Sequence, residues 1–273
     1  MAFAHKCVVV TGSSSGIGKA TALLFAKRGA NVLLHGRNKV RVQEVVDECK
    51  GIGEQNAKFP TVLGDIDNDK VLDKIVDTVK DQFGRLDVLV NNAGIAVPDE
   101  LIPGNVKALD SQINVLLRAP IHLSQMCFPV LEKCKGNIVS VSSISSIRPE
   151  SGCPYYSVAK AGLDMFTKCA ALEYGRKGVR VNAINPGYIP TNIISGSGMA
   201  VTEDEVEDFG NMMKTLCPLN KNGTAEELAK MIVYLASEDA SMINGHCLVH
   251  DGGLGLIGMD KKTFEMASQA SHK

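Results

Sequence analysis

The sequence lacks the marks of several protein classes. It has almost no net charge: 29 Lys and Arg stand against 30 Asp and Glu, a formal −1 at pH 7. No block of like charge breaks that balance, which argues against nucleic acid or an anionic membrane as the main partner. The eight cysteines (Cys7, Cys49, Cys127, Cys134, Cys153, Cys169, Cys217 and Cys247) are scattered, with no Cys-x-x-Cys pair. The six histidines show no ligand spacing either, so no metal site is expected. No apolar run approaches the ~20 residues of a membrane span. A first strand beginning near Lys6 leaves little room for a leader, and the expectation is a cytoplasmic chain with free thiols.

What is present is the make-up of a globular chain with a sizeable core: 273 residues, 45% hydrophobic and 22% charged. Short apolar runs at 6–10, 31–35, 58–63, 86–90, 137–141, 179–184 and 244–249 read as strands. Helical spacing fills 19–28, 38–50, 71–83, 105–131, 156–174 and 224–235. Asn38 is placed to cap the second of these, and Thr224 with Glu227 forms a capping box for the last. Asn114 and Pro120 lie inside the long 105–131 stretch and should disturb its hydrogen-bond ladder. Strand–helix alternation predicts an α/β chain with a doubly wound parallel sheet of seven strands and helices on both faces.

In such sheets ligands bind beyond the carboxyl ends of the strands. The polar or glycine exits of this chain, Gly12, Arg37, Asp65, Asn91, Ser143 and Pro186-Gly187, each follow a strand, so all converge on one edge. Thr11-Gly-Ser-Ser-Ser-Gly-Ile-Gly18 sits between the first strand and the first helix, where glycines let the backbone approach a pyrophosphate at a helix N-terminus. Between Asn31 and Gln43 no carboxylate is available to bind both hydroxyls of a ribose. Arg37 stands there instead, able to pair with a 2′-phosphate. The preference is NADP(H), with NAD(H) left possible.

Tyr156 and Lys160 are four apart, one turn along one helix face. An ammonium beside a phenol lowers its pKa and suits it to acid–base work. Alone, Tyr-x-x-x-Lys arises by chance on many solvated faces. Ser143, thirteen residues upstream at a strand end, adds a hydroxyl for the same substrate oxygen.

With these residues assembled, the chain resembles the short-chain dehydrogenase/reductase family, in its carbonyl-reductase-like and 3-oxoacyl-[acyl-carrier-protein] reductase-like members. The matching residues run from Thr11-Gly-x-x-x-Gly-Ile-Gly18 through Asp65, Asn91-Asn-Ala-Gly94, Asn114, Ser143, Tyr156-x-x-x-Lys160 and Pro186-Gly187 to Asp251-Gly-Gly253. The resemblance implies one Rossmann domain over 1–253, a variable substrate lid at about 188–215 and a C-terminal tail at 254–273. It implies that Gly12, Ser14, Ser15, Gly16, Ile17 and Gly18 line the pyrophosphate. Asp65 and Ile66 would contact the adenine, and Asn92, Ala93 and Gly94 the cofactor at the sheet's centre. Pro186, Gly187, Ile189 and Thr191 would hold the nicotinamide end. Tyr156 would be the acid–base, Lys160 its partner on the ribose, Ser143 the carbonyl anchor, and Asn114 the holder of a water leading to Lys160. Ser15 stands where many NADP-linked relatives carry a basic residue, which leaves Arg37 as the main 2′-phosphate contact. Met199, Val201, Val206, Phe209, Met212 and Met213 of the lid face either substrate or core.

The function so implied is hydride transfer between NADP(H) and a small-molecule carbonyl or secondary alcohol, in a homotetramer or homodimer. Two alternatives remain: an NAD-linked secondary-alcohol dehydrogenase, and a dinucleotide-binding scaffold or sensor without turnover. The scaffold reading is weakened because Ser143, Tyr156 and Lys160 are all present.

Overall fold

The computed structural model describes residues 2–191, 193 and 202–258. Its strands are β1 (Cys7–Val10), β2 (Asn31–Gly36), β3 (Thr61–Leu63), β4 (Val88–Asn91), β5 (Asn137–Val141), β6 (Arg180–Pro186) and β7 (Cys247–His250). They form one seven-stranded sheet in the order β3-β2-β1-β4-β5-β6-β7, every pair parallel. The strand order reverses between β1 and β4, and that switch point is where a crevice opens.

The helices are α1 (Gly16–Lys27), α2 (Lys39–Ile52), α3 (Asp69–Gln82), α4 (Val106–Ile113), α5 (Ala119–Cys134), α6 (Pro154–Gly175), α7 (Glu203–Leu216) and α8 (Ala225–Ala236). Successive strand side chains point to opposite faces. Val8, Val10, Val88, Val90 and Val139 therefore share one core with Phe25 of α1, Val45 of α2 and Ile232 of α8. Val9, Leu89 and Ile138 enter the other, with Leu72 and Ile75 of α3, Leu123 of α5 and Ala170 of α6. The central strands are apolar on both faces because both are covered. Each fully buried Leu or Ile in these layers contributes about 1.5–3 kcal/mol.

The expected sheet, helices and caps are present, with differences that have local causes. The long helix expected over 105–131 is interrupted: α4 ends at Ile113, a π-helical turn covers Asn114–Arg118, and α5 follows. Pro120 has no N–H to give to the preceding turn, so the ladder widens just before it. β3 starts at Thr61 rather than Lys58, because Pro60 accepts from Leu34 N–H but cannot donate in return. β7 starts at Cys247 rather than Asn244, since the Asn244 side chain instead accepts from Val181 N–H and donates to the Ala171 carbonyl. The segment expected to form a lid contains α7, not anticipated, opened by a capping box between Thr202 and Glu205. Thr-Glu-Asp-Glu at 202–205 is the signal that marks it. Leu254, placed in the tail by the sequence reading, belongs to the body: it is buried, and the Asp251 carboxylate holds the turn around it through Gly253 N–H at 2.9 Å and Gly255 N–H at 2.6 Å. Met199, Val201 and residues 259–273 lie outside the described residues. Among the described residues no helix is long and apolar enough to cross a membrane.

Candidate active site

A cleft of about 870 Å³ runs along the carboxyl ends of the strands. Every predicted cofactor residue from Gly12 to Thr191 lines it, together with Ser143, Tyr156 and Lys160. Asn114 does not line it; it sits half-buried at the start of the π-helical turn, where its carbonyl accepts from Ala119 N–H.

The glycine turn between β1 and α1 is shaped by close approach. Gly12 and Gly16 have φ of 64° and 54°, values glycine takes without strain. A Cβ on Gly12 would stand 2.7 Å from the Ala93 Cα, and one on Gly18 only 2.3 Å from the Gly12 carbonyl oxygen and 2.4 Å from Asn92 Nδ2. Asn92 Nδ2 ties the turn by donating to the Thr11 carbonyl at 2.8 Å and to the Gly12 carbonyl at 3.1 Å. The Thr11 hydroxyl accepts from the N–H groups of Asn92 and Ala93, each at 3.0 Å. No side chain caps α1, and its first turn holds no carboxylate. The first-turn N–H groups beside the cleft are thus left for an anion, and the backbone-lined hollow suits a dinucleotide pyrophosphate.

His35 of β2 was not anticipated as part of this site. Its Nδ1 accepts the Gly12 N–H at 3.2 Å, and its Nε2 lies 3.1 Å from the Gly64 carbonyl oxygen. The carbonyl can only accept, so Nε2 carries the proton and the ring is neutral. Burial pushes its pKa down to about 4. The ring therefore braces the glycine turn against the loop that carries Asp65. Its signal was faint: a lone histidine at a strand end.

At the dinucleotide's far end Arg37 is exposed, its Nη1 3.7 Å from Asp65 Oδ1. Arg41, one turn into α2, lines the cleft as well. The spacing Arg37-x-x-x-Arg41 is the sequence signal that the reading around Arg37 alone passed over. A pair as exposed as Arg37–Asp65 is held weakly and leaves the guanidinium available.

The opposite end of the cleft, where α6 meets β5, is built mainly from buried side chains. Pro154 opens α6, where its missing N–H costs nothing, and the helix carries Tyr156, Lys160 and Asp164 at successive turns. Lys160 is 4% exposed; its Nζ donates to the Val141 carbonyl at 2.7 Å and lies 5.5 Å from the centre of the Tyr156 ring. Burial pushes Lys160 down to about 8, while the Asp164 carboxylate works the other way. The phenol is not depressed, contrary to expectation. Tyr156 keeps partial solvent exposure, yet the protein packed around its hydroxyl pushes its pKa up to about 12, and the Ser143 hydroxyl only partly offsets this. The Lys160 ammonium, beneath the ring, donates to a strand-end carbonyl rather than to the phenol.

Ser143 follows β5 and caps a 3₁₀ turn, its hydroxyl accepting from Ser145 N–H at 3.1 Å and lying 2.9 Å from Ser145 Oγ. Behind it sits a buried cluster absent from the sequence reading. The Asp164 carboxylate lies 2.6 Å from Ser146 Oγ and accepts from Asn185 Nδ2 at 2.7 Å. Ser146 Oγ is also 2.6 Å from the Ser143 carbonyl oxygen, and Asn185 Nδ2 3.1 Å from it. The backbone of Ser143 is thereby pinned from α6 and β6 together. Beyond Tyr156 the cleft is walled by Ile95, Tyr188, Phe209, Met213 and Leu254, with Tyr188 and Phe209 meeting edge to face at 5.2 Å. Of the expected lid contacts, Phe209 and Met213 line the cleft and Met212 points out, 46% exposed.

A family model described as enoyl-(acyl carrier protein) reductase matches residues 12–255. The chain is 37% identical over 250 residues to the 3-oxoacyl-[acyl-carrier-protein] reductase FabG of Thermotoga maritima, covering 91% of this chain and 97% of that one. It is 32% identical over 253 residues to the meso-2,3-butanediol dehydrogenase of Serratia marcescens, covering 93% and 96%. Its structure is similar to that of a short-chain dehydrogenase/reductase of unknown function from Caenorhabditis elegans solved with cofactor, with a TM-score of 0.88, 34% identity and coverage of 95% and 98%.

Proposed function

The chain belongs to the short-chain dehydrogenase/reductase family of oxidoreductases acting on CH–OH or carbonyl groups, and from that premise we propose that it is an NADP(H)-linked reductase of small-molecule carbonyls. The observation that carries this reading is one cleft with two guanidiniums, Arg37 and Arg41, at one end and Ser143, Tyr156 and Lys160 at the other. The glycine turn and the α1 N-terminus would hold the pyrophosphate, Asp65 and Ile66 the adenine, and Ile189 with Thr191 the nicotinamide end. When bound, the dinucleotide supplies or accepts the hydride.

The rest falls to this chain's own residues. Ser143 donates to the substrate's carbonyl oxygen and fixes its position. Tyr156 gives its phenolic proton to that oxygen as charge develops there. A phenol with a pKa of about 12 is fully protonated at neutral pH, the state a proton donor needs. Removing an alcohol's proton needs the opposite state. Oxidation, which releases a proton, gains as pH rises. Lys160 holds a positive charge beneath the phenol, and the π-helical turn at Asn114 would lead a water to it.

Tyr156→Phe tests the chemistry. Carbonyl-dependent NADPH consumption should fall about 10³-fold while NADPH still binds. Retained turnover would sink the assignment, and a non-catalytic sensor would show no turnover in the wild type. Replacing Arg37 and Arg41 with Ser tests the cofactor: kcat/KM with NADPH should fall at least about tenfold against NADH. The NAD-linked reading has one observation in its favour, Asp65 beside Arg37, and a wild type preferring NADH would establish it.

A two-fold assembly belongs to the same reading. The outer face of α6 exposes Val158, Met165 and Leu172, 58%, 58% and 76% accessible and seven apart. An apolar stripe at that spacing fits its own copy across a two-fold axis.

A further inference from the structure

We propose that the cleft, read as that of a carbonyl reductase, takes substrates with no negative charge near the reacting carbonyl, and that Glu150 is the residue that sets this preference. The charged side chains lining the cleft fall into two groups. Arg37, Arg41, Asp65 and Asp67 stand at the dinucleotide end; Glu150 and Lys160 stand at the catalytic end. Lys160 is buried with its Nζ turned to the Val141 carbonyl, so it forms no direct ion pair with an approaching anion. Glu150 is exposed, on the turn that leads into α6. Its charge reaches the Tyr156 hydroxyl and the Cys153 thiol, opposing ionisation of both. A group that opposes a phenolate there also opposes a carboxylate or phosphate brought to the same place.

The surroundings reinforce that field. Arg148, two residues before Glu150, keeps its charge but is turned by Nη1 to the Leu254 carbonyl at 2.8 Å rather than to the Glu150 carboxylate. α7 supplies Phe209 and Met213 to the wall and carries Asp204, Glu205, Glu207 and Asp208 in its first turns. The sequence over 192–201 contains no basic residue to answer them. Ile95, Ile144, Phe209, Met213 and Leu254 add apolar wall beside the hydroxyls of Ser143, Ser145 and Tyr188. The chemistry that fits is an uncharged ketone, aldehyde or secondary alcohol with an apolar body. The meso-2,3-butanediol dehydrogenase among the relatives is named for an uncharged substrate, and this cleft is of that kind.

The test uses the full-length protein and matched pairs that share the reacting carbonyl: ethyl acetoacetate against acetoacetate, and ethyl pyruvate against pyruvate. NADPH and NADH oxidation are followed at low ionic strength. The neutral member should have the higher kcat/KM in both pairs. In Glu150→Gln the neutral-to-anionic ratio should fall about fivefold, an effect that shrinks as salt rises. In Asp73→Asn, an exposed change on α3, the ratio should stay at the wild-type value. A wild type that prefers the anions, or a ratio unmoved by Glu150→Gln, overturns the proposal while leaving the reductase reading intact. Consumption of none of the four carbonyls with either nucleotide overturns both.

Discussion

At the dinucleotide end of the cleft the working surface is mainly backbone: the first turn of α1 and the glycine turn before it, which Thr11, His35 and Asn92 brace from behind. At the catalytic end it is side chains, held by other buried side chains: Ser143 by Ser146 and Asn185, those two by Asp164, and Lys160 by a strand carbonyl. A backbone-built site tolerates changes of side-chain chemistry but not the addition of atoms. A side-chain-built site tolerates small steric changes but not the loss of a donor or an acceptor. The two ends should therefore fail in different ways.

The largest expected effect is steric and lies at the backbone end. In Gly18→Ala the new methyl meets a backbone carbonyl and the amide of Asn92 at 2.3 and 2.4 Å, and neither is the free end of a flexible chain. The loss should be about 3 kcal/mol or more in stability, with weaker dinucleotide binding. Gly51→Ala is the counterpart: it lies within α2, and an added Cβ there meets nothing within 4 Å. That change should be neutral or stabilise by up to about 1 kcal/mol. Urea melts of both variants and fluorescence titration with NADPH measure the gap. Equal stability of the two would remove the close-packing account of the turn.

His35 sharpens the comparison next, because it is the titratable group within the backbone end. Its pKa is about 4 when folded, against 6.5 for a free imidazole. Above 6.5 both states are neutral and the contribution is constant. As pH falls from 6.5 to 4 the unfolded chain takes up a proton that the folded one refuses, so stability is lost across that window. The loss is at most about 3 kcal/mol. His35→Gln should flatten the window and lower stability at pH 7.5 by about 1–2 kcal/mol through the weakened hydrogen bonds to Gly12 and Gly64. Melting temperatures between pH 4 and pH 8, compared for the two proteins, decide it.

The difference between the two ends also explains what the sequence made legible. Backbone sites announce themselves locally: glycines at fixed offsets after an apolar strand, and asparagine or proline at strand exits, are readable without coordinates. The parallel sheet was readable for the same reason, since Val8, Val9 and Val10 in succession demand cover on both faces. Tyr156 and Lys160 were readable because helical spacing alone places them together. The Asp164 cluster was not, because its members come from α6, β6 and the turn after β5, and only tertiary folding unites residues 146, 164 and 185. The direction of the Tyr156 shift was missed for a related reason. Spacing shows that an ammonium is near, but not that Lys160 is already engaged by Val141, nor how deeply the hydroxyl is packed.

The smallest effect comes from the catalytic end and asks whether Asp164 acts through Ser143. Asp164→Asn keeps the shape and one accepting oxygen, so the fold should survive. Its amide oxygen can take the place of Asp164 Oδ2 against Ser146 and Asn185, but as a neutral and poorer acceptor it loosens the hold on the Ser143 carbonyl. A shift of a few tenths of an ångström in a carbonyl anchor should lower kcat about tenfold with a smaller change in KM. A second readout separates this from general loosening. The Asp164 charge favours the Lys160 ammonium, whose pKa of about 8 is already held down by burial. The other charged or titratable groups near this cluster are Tyr156 on the same helix, Lys168 one turn on, and Cys247 on β7, whose thiol lies against the Asp164 carbonyl. Without the carboxylate the ammonium gives up its proton at lower pH. The alkaline fall of kcat should then move to lower pH in the variant, while a merely loosened protein would lose activity evenly across the range.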